Sequence, residues 1–229
     1  MNAEEVLARL ESISDLTRLE GMSRYGIKVD DALGVSMPEM RALAKSLGKD
    51  HGLAMDLWHT GVHEARIIAS LLADPKILTE DQMEEMVRNL DSWDVCDQCC
   101  SNLFSRTPMA TRKALEWSGR DEEFQKRAGF ASMAALAVHG KNLQDEDLMP
   151  LLEAVVRESH DDRNYVRKAV NWALRQIGKR NLHLNGVAID AAERIMAKGD
   201  RASRWVASDA LRELRSEAVQ ERLKSRQGR

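Results

Sequence analysis

Apolar residues recur along this chain at helical spacing. In NYVRKAVNWALRQI, Val166, Ala169, Val170, Ala173, Leu174 and Ile177 fall three or four apart, the period of one helix face. Two-residue alternation of β-branched side chains, the mark of a half-buried strand, is nearly absent. Stop signals punctuate the pattern at Gly34, Gly48, Gly61, Asp74-Pro75, Thr107-Pro108, Gly119, Gly140, Pro150, Gly178 and Gly199. Together they predict helices over 3–20, 37–48, 51–59, 62–73, 79–90, 92–105, 108–118, 121–139, 145–158, 162–179, 186–198, 202–214 and 216–226.

These helices read as pairs. The second members, HEARIIASLLAD, SWDVCDQCCSNLF, EFQKRAGFASMAAL, NYVRKAVNWALRQI and ASRWVASDALREL, recur about every 30–40 residues, the spacing of HEAT-type repeats. The expected fold is all-α: a HEAT-like solenoid, or α-α superhelix, stacked right-handedly. One helix of each pair then lines a concave face. No linker divides residues 1–229, so a single repeat domain is expected, with its last ~15 residues, basic after Leu214, fraying.

Composition excludes several classes. Hydrophobic residues make up 43% of the 229, enough for a continuous core. No apolar run approaches the roughly 18 residues of a membrane helix. The start, MNAEEVLARL, lacks the basic end and apolar block of a secretory signal, and a cytosolic place is expected. Cys96, Cys99 and Cys100 form no disulfide framework, and no second Cys/His cluster completes a zinc site. They read as small buried helix residues. His51, His59 and His63 surround a turn without a ligand set. With no phosphate-binding glycine loop, nucleophile elbow or HExxH, neither metal nor cofactor is expected. No obligatory protein partner is inferred, and a monomer is expected.

Net charge is −3, but its distribution matters more: −9 over residues 1–100 and +6 over residues 101–229. Arg163 to Arg180 holds six basic residues and no acidic one. That run is either a solvated helix face or a nucleic-acid contact.

Three helices carry residues in unusual places. In 92–105, Asp97 falls within the stripe of Trp93, Cys96, Cys100, Leu103 and Phe104, where a carboxylate is costly unless paired. It is a structural ion-pair member, a groove wall, or, beside Trp93, a site for a flat cationic ligand. In 121–139, Arg127 lies on the side of Phe124, Ala131, Ala134 and Val138 and needs a partner. Asp97 or a DNA phosphate serves. In 162–179, Trp172 stands off the core stripe with Tyr165, Lys168, Arg175 and Lys179, and Arg180 follows. An aromatic set among cations suits phosphate contact plus stacking, and packing on the next repeat is the alternative. Trp58, Trp117 and Trp205 read as repeat-packing aromatics.

These segments resemble the HEAT-repeat DNA alkylation-repair family, the AlkD-type alkylpurine glycosylases. SWDVCD at 92–97 resembles its tryptophan–Asp–x–x–Asp segment, placing Trp93 and Asp97 on its functional tryptophan and catalytic aspartate. QKRAGF at 125–130 resembles the helix of its active-site arginine, which gives that role to Arg127. VRKAVNWALRQIGKRN at 166–181 resembles its most recognisable stretch, with Trp172 the second functional tryptophan. Segments from Tyr25 to Arg41 are also similar, and the likeness extends over about residues 21–214. Ser92 stands where the family often has another tryptophan, and the cysteine-rich continuation CDQCCSNLF departs from it.

The resemblance implies a glycosylase hydrolysing the N-glycosidic bond of cationic N3- or N7-alkylated purines in duplex DNA. The lesion stays in the duplex rather than being flipped out. Asp97 stabilises positive charge developing on the sugar and positions water. Trp93 and Trp172 pack on the deoxyribose, Arg127 holds a phosphate, and Lys168, Arg175, Lys179, Arg180 and Tyr165 meet the backbone. Relatives that bind DNA without excising bases make a non-catalytic protein for damaged or branched DNA the alternative. A protein-interaction scaffold is the third possibility.

Overall fold

The computed structural model describes residues 1–227. Its α-helices are α1 (Ala3–Ser12), α2 (Leu19–Arg24), α3 (Met37–Leu47), α4 (His51–His59), α5 (His63–Leu72), α6 (Glu80–Arg88), α7 (Trp93–Asn102), α8 (Ala110–Ser118), α9 (Glu123–His139), α10 (Asp145–Glu158), α11 (Asn164–Gly178), α12 (Leu182–Ala197), α13 (Arg201–Leu214) and α14 (Glu217–Gln227). Single 3-10 turns lie at Leu16–Arg18 and Phe104–Arg106, and the described residues contain no strand. The helices group into two compact units, Met1–Pro108 and the chain from Met109 onward.

In the first unit α5 packs against α1, α3, α4 and α7. Capping boxes start its helices: Asn2 with Glu5, Ser36 with Glu39 and Thr79 with Gln82. The helix expected over 3–20 is broken. Leu10 is the last core residue of α1, and Asp15 turns its carboxylate to the Thr17 N–H and hydroxyl, which starts the 3-10 turn. Gly34, at φ +74°, lies so close to this turn that a Cβ would stand 2.2 Å from the Asp15 carbonyl oxygen. Fully buried Glu64 of α5 holds the neighbouring loop by accepting from the N–H groups of Leu33, Gly34 and Val35 at 2.8–3.2 Å.

In the second unit α9, α11 and α13 lie side by side in one layer, and α8, α10 and α12 form the other. Phe130, Met133, Leu151, Val155, Val166, Val170, Leu174, Ile177, Leu184, Ile195, Val206 and Leu214 fill the space between. The small-residue run of α9 permits close approach: a Cβ on Gly129 would lie 2.5 Å from the Ser118 nitrogen and 2.9 Å from the Ala114 carbonyl oxygen of α8. Pro150, though a stop signal, lies inside α10, within the helix expected over 145–158. Burial of Leu148, Leu151, Leu152 and Val155 on that helix outweighs the lost hydrogen bond. α12 begins at Leu182, ahead of the expected 186, because Asn181 caps it by accepting the Leu184 N–H at 2.8 Å. The helix expected over 216–226 is α14, Glu217–Gln227; the fraying expected of the tail also concerns Gly228 and Arg229, which lie outside the described residues.

Candidate functional site

α7 opens at Trp93, with Ser92 in extended backbone as its N-cap. Val95, Cys96, Cys99 and Cys100 turn inward and are buried, which for the three cysteines matches their reading as small buried residues. Burial holds the Cys99 thiol well above its ordinary pKa, in its unreactive protonated form. Trp93 and, one turn on, Asp97 are half-buried along the edge of this inward face. The Trp93 indole N–H donates to the Tyr25 carbonyl at 3.1 Å, which orients the ring. Asp94 secures the start of the helix. Its carboxylate accepts from the Ser92 hydroxyl at 2.6 Å and faces His63 Nε2 at 2.9 Å. Burial alone would raise the Asp94 pKa, but His63 and Ser92 outweigh it and hold it low. Burial alone would lower the His63 pKa, and Asp94 outweighs that and raises it. The other turn histidines have separate partners: His51 meets Gln82 at 3.2 Å and His59 meets Glu85 at 2.9 Å.

In the second unit Arg127 is buried on α9, and its Nη1 donates to the Tyr165 carbonyl at 2.6 Å in the first turn of α11. The Tyr165 ring lies 5.4 Å from that of Phe124. Trp172 is half-buried on the same side of α11, and Lys168 is exposed one turn before it. Arg175 and Lys179 share one carboxylate of α13: Glu213 accepts from Arg175 Nη1 and, at 2.6 Å, from Lys179 Nζ. Arg180 donates to the carbonyls of Ala137 (3.0 Å), Gly140 (2.9 Å) and Leu143 (2.5 Å), closing the C-terminal end of α9. Arg163 pairs with Asp161 at 2.6 Å and donates to the Asp121 carbonyl. Three of the six cations of the basic run, Arg163, Arg175 and Lys179, are therefore paired with carboxylates within the unit. Where α9 and α11 end, an open groove of about 540 Å³ is lined by Lys141, Lys179, Arg180, Arg222 and Arg226 and by no acidic residue.

Residues 6–214 match the family described as DNA alkylation repair enzyme. The chain belongs to this family. In fold it is similar to a solved structure described as a new family of proteins related to the HEAT-like repeat DNA glycosylases with affinity for branched DNA structures. The TM-score is 0.75 at 21% identity, over 85% of this chain and 83% of that one. No curated protein matches.

For a DNA alkylation repair family member, the cations that remain available matter most, and the sequence does not single them out. Arg167 reaches α13, where its guanidinium lies 4.6 Å from the Trp205 ring centroid, and Trp205 is 37% exposed instead of packed between repeats. Trp58 and Trp117, at 2% and 0%, do pack inside. Lys126, next to Arg127, is a buried structural cation paired with Glu158 at 2.7 Å and Asp161 at 3.2 Å. A usable signal for Glu213 was present: Asp209 and Glu213 fall four apart on the helix predicted over 202–214, a spacing that aligns them on one face. Among the described residues, no helix is long and apolar enough to cross a membrane.

Proposed function

We propose that the chain is a monofunctional DNA glycosylase that releases cationic N3- or N7-alkylated purines from duplex DNA without flipping the base. The observation that carries this reading is Asp97, a half-buried carboxylate one turn after Trp93 at the edge of the buried face of α7, in a DNA alkylation repair family member. Alkylation makes the purine a cationic leaving group, and its departure leaves positive charge on the sugar. Asp97 stabilises that charge and positions the water. Trp93, oriented by Tyr25, and Trp172 pack against the deoxyribose, and Arg127 holds a phosphate. Lys168 and the basic groove take the backbone. Duplex DNA carrying such lesions is the substrate, and no cofactor enters.

The test is incubation with methylated duplex DNA and chromatography of the released purines. Asp97→Asn keeps the side chain's shape and removes its charge. It lowers release by about 10²–10³-fold, with duplex affinity little changed. A large fall in melting temperature, with the residual folded fraction excising at the normal rate, would overturn the catalytic role. A second reading, a non-catalytic binder of branched DNA, is favoured by the affinity for branched DNA described for the similar structure and by Ser92 at the position where the family often has another tryptophan. Wild-type protein that binds DNA but releases no methylated purine would decide for it.

A further inference from the structure

The exposed face of α13 combines an aromatic ring with cations that the fold does not neutralise. Arg201, Arg204, Trp205 and Ser208 fall within one arc of the helix, and all are exposed. Arg201 and Arg204 stand in the first turn, where the helix dipole disfavours positive charge, and no carboxylate pairs with either among the described residues. From α11, Arg167 lies over the Trp205 ring; its buried Nε has no acceptor, and among the described residues no carboxylate pairs with its guanidinium. Arg175 and Lys179, further along α11, are by contrast both taken by Glu213. Stability explains neither the unpaired cations at the start of α13 nor the exposure of the indole.

An indole beside unneutralised guanidinium groups is the chemistry that receives a single nucleobase and its flanking phosphates. The ring stacks on the base and the cations hold the backbone. A base paired within a duplex keeps its faces covered by its neighbours, so only an unpaired one can stack there. We propose that Trp205, with Arg167 and Arg204, forms a second nucleic-acid contact that binds an unpaired, unstacked DNA base. This rests on the DNA-binding reading above and adds a site separate from the residues assigned to catalysis.

The experiment measures full-length protein, by fluorescence anisotropy, on a blunt unmethylated duplex and on the same duplex carrying a single-stranded thymidine bulge. The wild type binds the bulged probe more tightly. Trp205→Ala weakens binding to the bulge by about ten-fold and leaves the blunt duplex unaffected. Trp205→Phe, which keeps a stacking face, retains most of the preference. Arg204→Ser weakens both probes and flattens the salt dependence by a log–log slope of about 0.9, one phosphate contact. A thermal melt confirms each variant folded, and Trp205→Gln substitutes if the alanine variant is not. A folded Trp205→Ala that keeps the bulge preference, or a wild type that binds both probes equally, would overturn the proposal. Wild-type protein that binds neither probe would instead overturn the DNA-binding reading on which it stands.

Discussion

Glu213→Gln removes the carboxylate that Arg175 and Lys179 share. The three side chains are 29%, 29% and 15% exposed, for Glu213, Arg175 and Lys179, so the network is partly screened by solvent. Discounted for that exposure, its charge-assisted hydrogen bonds stabilise the unit by about 1–3 kcal/mol. Glutamine keeps a carbonyl acceptor for one of the cations, which leaves a loss of about 1–2 kcal/mol, or about 2–8 °C in melting temperature for a chain of this size. Burial alone would raise the Glu213 pKa, but Lys179 and Arg175 outweigh it and hold it below its ordinary value. The stabilisation is therefore complete above the unfolded carboxylate range and is lost as pH falls through the lowered folded-state value. On DNA the substitution acts in the opposite direction. Lys179 becomes available to phosphates, while Arg175 keeps the Asp209 carboxylate at 3.8 Å, so low-salt affinity rises and the log–log salt slope steepens by about 0.9, one phosphate neutralised. The control is Glu153→Gln, which removes the same formal charge from the exposed pair with Arg194 and frees no candidate interface cation. Melting and anisotropy titrations across salt concentrations read both effects. A Glu213→Gln protein that melts lower but binds with the slope of Glu153→Gln would refute the reasoning, leaving Arg175 and Lys179 as purely structural cations.

Three further outcomes are expected. His63→Gln abolishes a pH-dependent stabilisation. Because Asp94 raises the His63 pKa, the wild-type advantage is complete below the ordinary histidine value of 6.5 and fades as pH rises through the folded-state value; at the acid end it is lost as Asp94 protonates. Melting temperatures of the two proteins across pH check this, and a pH-independent difference would contradict it. Gly129→Ala forces α9 away from the α8 backbone and costs at least about 1–3 kcal/mol, read as a lower urea midpoint at unchanged slope. Lys168→Glu, at an exposed position, weakens binding to all duplexes alike and leaves melting unchanged. Unaltered affinity would remove Lys168 from the interface.

Helix identity and packing face were legible in the sequence because both depend on residues three and four apart. His51–His59 and Asp145–Glu158 lie where the pattern puts them, and every residue of the α11 apolar stripe is buried. Trp93 and Asp97 could be placed on one helix face by the same argument, and family membership over residues 6–214 agrees with the resemblance those segments carry. Ends were less legible, since they depend on single caps such as Asp15 and Asn181, and Pro150 shows core burial overriding a local breaker.

What the charges do was settled only in three dimensions. Arg163 to Arg180 is acid-free along the chain, but its acids come from elsewhere: Glu213 lies 34 residues beyond Lys179, and Arg180 spends its donors on carbonyls 37–43 residues earlier. Trp205 likewise reads as one more core aromatic until Arg167 is found over an exposed ring. Local periodicity determines which residues form a helix and which face it buries, because those energies arise within a turn or two. Whether a cation is spent inside the fold or left for a ligand depends on which helix packs beside it, and that is decided by the tertiary structure.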